Sequence, residues 1–122
     1  MIECLAVGAG GFLGAVCRYL IGLIPVKEWM VFPIKTFLIN LAGCFAIGII
    51  AALASKHSLL PPRLVLFLQA GVCGGFTTFS SFALETHGLI KNGNLWIAIL
   101  YAVSSVALGI LAVYLGQKLI LR

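Results

Sequence analysis

Four apolar runs occupy most of this chain and leave it few ways to fold. Cys4–Ile24, Phe32–Ser55, Leu64–Glu85 and Leu95–Leu119 each approach the ~20 residues that a helix needs to cross ~30 Å of hydrocarbon. Lipid offers the backbone no hydrogen-bond partners, so a spanning segment must satisfy its own N–H and C=O groups, as a helix does. With 62% hydrophobic and only 9% charged residues and a mean hydropathy of +1.19, the runs leave no room for a separate soluble domain. The expectation is one all-α membrane domain over residues 1–122 with four transmembrane helices, multi-pass in a cell inner or plasma membrane. Glu3 is the only charged side chain ahead of the first run, where a secretory leader carries basic residues, so the first run is read as a retained span.

The net charge of +5 invites a nucleic-acid reading. The basic residues, however, are scattered singly over loops and ends and form no stripe, so no nucleic-acid partner is expected. Four spans put both termini and the Lys56–Arg63 loop on one side, carrying Lys56, Arg63, Lys118 and Arg122. The loops near Pro25–Met30 and Thr86–Asn94 lie on the other, with Lys27, Lys91 and flanking Lys35, and with Arg18 near the edge. Lys/Arg asymmetry in short loops orients helical membrane proteins, and here it is close to zero, so the chain is able to insert either way up. Trp29 and Trp96 suit interfacial anchors. His57 and His87 read as solvated loop residues. Cys4, Cys17, Cys44 and Cys73 form no CxxC pair and read as small buried side chains.

Three spans carry polar stripes. In the first, Gly10, Gly14 and Arg18 recur every four residues, so small residues admit a neighbouring backbone and Arg18 points to that neighbour or to an aqueous vestibule. In the second, Thr36, Asn40, Gly43 and Ile47 share a face. An amide left unpaired in hydrocarbon costs several kcal/mol, so Asn40 is expected either to bond another helix or to line a wet path. In the fourth, Tyr101, Ser105, Gly109, Ala112 and Gly116 share a face, with Ser104 beside it.

The third span contains GVCGGFTTFSSF, Gly71 to Phe82. Paired glycines weaken a helix, and threonine and serine hydroxyls capture backbone groups, which predicts an interruption near mid-membrane. Unwound backbone survives there only inside protein or along a cavity, and its free carbonyls suit hard cations such as Na⁺. Phe79 and Phe82 follow at a spacing of three. A phenyl ring edge carries positive quadrupole potential, so a pair beside a polar break is able to hold an anion edge-on. Four helices of this length cannot enclose such stripes alone, so self-association is expected, with an antiparallel dimer as the form that the charge balance favours.

The segments GGFLGAVCRY (Gly10–Tyr19), TFLINLAG (Thr36–Gly43) and GGFTTFSSF (Gly74–Phe82) closely resemble signature segments of the Fluc/CrcB family of fluoride channels. The resemblance extends over essentially the whole chain. It implies a dual-topology antiparallel homodimer with two fluoride pores and a structural Na⁺ at the dimer axis. In that arrangement the Gly74 and Thr77 backbone carbonyls of both subunits hold the Na⁺. Phe79, Phe82 and Asn40 line the pore, Thr36, Glu85, Tyr101 and Ser105 form its polar track, and Arg18 lies in the vestibule. The chain departs from the family pattern at three positions. Lys35 stands where glycine commonly precedes the threonine of the second segment, which would alter the electrostatics of the pore mouth. Ser81 stands where threonine is common, and Gly109 where some relatives carry serine.

Two rival functions compete. A proton-coupled exporter of the small multidrug-resistance type needs a mid-membrane carboxylate, whereas Glu3, Glu28 and Glu85 lie at a terminus, in a loop and at a span end. In a non-conducting assembly subunit every polar stripe would be helix glue. An enzyme is not expected, since no embedded nucleophile, His–carboxylate pair or metal cluster is apparent.

Overall fold

The computed structural model describes residues 1–56 and 60–122; His57 lies outside the described residues. Four helical spans long and apolar enough to cross a membrane are present: Ile2–Gly22, Ile34–Ser55, Pro62–Lys91 and Leu95–Ile120. Helix α1 is Ile2–Gly22 and α2 is Ile34–Ser55. The third span is composite. It opens with α3 (Pro62–Leu66), where Pro62 takes a first-turn position that needs no N–H, and passes into a π-helical stretch, Phe67–Cys73. It continues as α4 (Gly74–Phe76) and, after two extended residues, as α5 (Phe79–Lys91); α6 is Leu95–Ile120.

Helix pairs form where small residues let backbones meet. Helix α1 packs on the first half of the third span, and α2 packs chiefly on α6. At Gly10 an added Cβ would lie 2.9 Å from Gly71 Cα and closer still to the Phe67 carbonyl oxygen, and at Gly14 it would lie 2.7 Å from Phe76 N. Gly48 and Gly116 play the same part between α2 and α6, facing Val113 and Phe45 backbone. Lipid tails are as apolar as leucine, so close packing of this kind supplies much of the association between membrane helices.

The spans differ from their expected bounds most at the third. The helix runs on past Glu85 to Lys91, so Thr86, His87 and Lys91 belong to α5 and not to a loop, and Glu85 is interior to the helix. Apolar patterning marks where hydrocarbon gives way to the polar layer, which a helix is free to enter. The α5–α6 connection is correspondingly tight, and Gly93 supplies its positive φ of 84°.

Within the glycine-, threonine- and serine-rich segment, the departure from helix falls at the threonines. Gly74 is helical (φ −63°, ψ −39°). Thr77 (φ −80°, ψ 158°) and Thr78 (φ −149°, ψ 119°) are extended. Gly75 serves packing, since a Cβ there would sit 2.5 Å from the Gly11 carbonyl oxygen. Helix α5 then starts on a side-chain cap, the Ser81 N–H donating to Thr78 Oγ1 at 3.2 Å.

Candidate functional site

The extended pair Thr77–Thr78 is held from two sides. Asn40 on α2 donates from Nδ2 to the Thr78 carbonyl at 3.1 Å and accepts from the Thr78 N–H at 2.8 Å. Both ends of the amide therefore replace bonds that a continuous helix would have made. Arg18 on α1 donates from Nε to the Gly75 carbonyl at 3.2 Å, so the Gly10–Gly14–Arg18 stripe ends on the same strip of backbone that its glycines allow to approach. The Thr77 hydroxyl and N–H both donate to the Cys73 carbonyl, at 2.9 and 3.0 Å. Among the described residues, none of the hydrogen bonds around the interruption ends on the Gly74 or Thr77 carbonyl oxygen.

A groove of about 360 Å³ runs along this backbone. Helix α2 contributes Asn40 and Gly43, the third span Thr77 and Phe79 with Phe82, and α6 Ser105. Phe79 and Phe82 lie with ring centroids 5.7 Å apart, and Phe82 meets Tyr101 edge to face at 5.0 Å. The Ser105 hydroxyl oxygen is fully buried with no hydrogen-bond partner among the described residues. Its neighbour Ser104 bonds back to the Leu100 carbonyl, the self-satisfying arrangement common for serine in membrane helices. Phe79 is 79% exposed within the single chain, so one wall of the groove is open.

Beyond the phenylalanines a second polar cluster forms around Glu85. Thr36 Oγ1 donates to one carboxylate oxygen at 2.9 Å and the Tyr101 hydroxyl to the other at 3.0 Å. Tyr101 is completely buried, packed with Phe32 and Phe82 over Leu89 and Ala98. The structure thus brings Thr36, Glu85 and Tyr101 into direct contact. It puts Asn40, Phe79, Phe82, Ser105, Gly74 and Thr77 along the groove, and it joins the Arg18 side chain to Gly75 beside them.

A sequence model for the family described as CrcB-like protein, Camphor Resistance (CrcB), matches residues 5–117. The chain belongs to the CrcB family. Similar CrcB-type proteins include the Fluoride-specific ion channel FluC of Prosthecochloris aestuarii, 49% identical over 94% of this chain and 90% of its own. The protein of the same name from Chlorobium phaeobacteroides is 46% identical over the same shares. That from Methylobacillus flagellatus is 38% identical over 98% and 95%.

The backbone capture expected of the threonine hydroxyls occurs at Thr78, which caps α5; that Thr78 also takes both Asn40 bonds is revealed only by the pairing of α2 with the third span. Three other groups at the CrcB site were given no role there by the sequence. Gln69, Cys44 and Cys73 line the groove. The π-helical register turns Gln69 and Cys73 toward α2, and an ordinary helical period gives no sign of that register.

Proposed function

We propose that this chain is the subunit of a fluoride-selective passive channel, not an enzyme, exporting cytoplasmic fluoride through a cell inner or plasma membrane. The observation that carries the reading is the groove where an amide, an unpartnered buried hydroxyl and two phenylalanines meet beside extended backbone. Relatives across nearly the whole chain are named fluoride-specific ion channels, which supports the choice of ion.

A small anion gives up its water only where other donors replace it. Asn40 uses one of its two amide hydrogens on Thr78 and keeps the other. The Ser105 hydroxyl is uncommitted among the described residues, and ring edges of Phe79 and Phe82 add weak positive potential. The Thr36 and Tyr101 hydroxyls are engaged by Glu85 and become donors to an anion as the carboxylate turns aside. Weak, multiple contacts of this kind let an ion enter and also leave.

The open wall of the groove is closed, in this reading, by a second copy in antiparallel orientation. The chain's near-equal basic residues on its two sides support that dual topology, and two-fold symmetry then makes two pores. The third spans, interrupted near mid-membrane, cross at the axis. There the Gly74 and Thr77 carbonyls of both subunits suit a structural Na⁺, a hard cation that takes oxygen donors. The fit rests on their being free of the local hydrogen bonds. When bound, Na⁺ neutralises converging carbonyl dipoles and ties the subunits together. A proton-coupled exporter needs a carboxylate free to exchange protons and drug, whereas Glu85 is engaged at both oxygens.

The test is fluoride efflux from liposomes carrying the purified protein, read with an ion-selective electrode, with chloride in parallel and with Phe79→Ile. Fast fluoride release without chloride release, lost in the variant, is the expected result. Absence of flux from well-folded dimer would sink the reading.

A further inference from the structure

The most distinctive charge in this molecule is Lys35. It is the second residue of α2, one before Thr36, and its Nζ donates to the Gly22 carbonyl at 2.8 Å. That carbonyl is at the C-terminal end of α1, which carries no basic residue of its own in its last turn. The exposed carbonyls of a helix C-terminus bear roughly half a negative charge, so the bond fixes the ammonium at a set place and offsets only part of its charge.

That place is the rim of a cavity of about 370 Å³ lined by Arg18, Lys35, Thr36, Thr78, Ser81 and Glu85. Two positively charged side chains and one carboxylate therefore line the same cavity, and the carboxylate oxygens already accept from Thr36 and Tyr101. Among the described residues the only ion pairs join Glu3 to the N-terminus and to Arg63, so neither Arg18 nor Lys35 is paired with an acid. An ammonium has three N–H donors, and the Gly22 bond takes one of Lys35's.

We infer that Lys35 makes this cavity an anion-collecting mouth. Its ammonium, anchored by the Gly22 carbonyl, raises the local concentration of a small hydrated anion ahead of Thr36 and the phenylalanines. The inference rests on the proposed anion path and adds a rate-setting residue to it. A unit charge ~8 Å from an ion at a wet protein surface contributes on the order of 1 kcal/mol at low salt, which corresponds to a several-fold change in local concentration. The helix C-terminus reduces that. Salt removes it, because the Debye length falls from ~30 Å at ~0.01 M to ~3 Å at ~1 M.

The experiment is liposome fluoride efflux at ~0.01 M and ~1 M ionic strength, set with a bulky impermeant electrolyte, for the wild type, Lys35→Gln and Lys35→Arg. Glutamine keeps a donor for Gly22 and loses the charge; arginine keeps the charge. The expected result is that Lys35→Gln conducts about three-fold more slowly than wild type at low ionic strength, with the gap closed at high ionic strength. Lys35→Arg is expected to follow the wild type, and all three to unfold at the same temperature. A Lys35→Gln rate equal to wild type at both strengths, or reduced by the same factor at both, overturns the inference and leaves Lys35 a strap between α1 and α2. So does a lowered unfolding temperature that accounts for the loss. A wild type without fluoride flux overturns the channel reading itself, and this inference with it.

Discussion

Asn40 commits a donor and an acceptor to the backbone of one residue, Thr78. Removing the amide strands an N–H and a C=O where water is scarce, at about 1–3 kcal/mol each. Asn40→Ala is therefore expected to lower unfolding stability in detergent by about 2 kcal/mol or more and to abolish fluoride flux, both measurable on one preparation. Tyr101→Phe separates packing from chemistry. The ring contacts with Phe32 and Phe82 survive the change while one hydroxyl on Glu85 is lost. The expected outcome is an unchanged elution profile and fluoride efflux slowed by on the order of ten-fold, a loss of about 1.4 kcal/mol in barrier terms. Efflux at the wild-type rate would remove Tyr101 from the conducting track.

At the scale of elements, the third span is assembled from unlike pieces for a packing reason. A π-helical turn shifts the register so that Gly71 and Gly75 meet α1 while Gln69 and Cys73 meet the groove. Glycines of α1 receive this irregular backbone, and the contact tolerates no added carbon. Gly14→Ala puts a Cβ against the Val72 carbonyl oxygen and Phe76 N and is expected to cost about 1–3 kcal/mol as overpacking. Gly8→Ala, where an added Cβ meets nothing within 4 Å, is expected to be neutral or to gain up to about 1 kcal/mol from helix propensity. Thermal unfolding of the two variants side by side checks the contrast. Equal stabilities would mean that α1 and the third span are not held by backbone contact.

At the scale of the whole molecule, orientation in the membrane is the open variable. A chain with near-equal basic residues on its two sides, and with Phe79 uncovered, is proposed to pair with a copy inserted the other way up. Added lysines at the C-terminus would bias every copy to one orientation. Fluoride resistance of cells expressing that variant alone is expected to collapse. Co-expression with a variant carrying lysines in the Asn92–Asn94 turn is expected to restore it, since the two insert oppositely. Resistance that survives with either biased variant alone would rule out the antiparallel pair.

The number, position and apolar character of the four spans were legible in the residues alone, because hydrocarbon leaves the backbone one economical solution. The polar stripes were legible for the same reason: an unpaired amide or hydroxyl in such a run is costly, so a partner is expected. Which partner was not. That Asn40 meets Thr78, that Thr36 and Tyr101 share Glu85, and that Lys35 reaches Gly22 all depend on contacts between residues distant in the chain. The interruption was expected across the glycine, threonine and serine pairs together, and within that segment it falls at Thr77–Thr78. Glycine only permits a departure from helix; the departure occurs where a neighbouring side chain, here Asn40, takes up the freed backbone groups. The π-helical register had no local signal, since its gain lies in seating Gly71 and Gly75 against α1, a matter of shape between helices that only the tertiary structure decides.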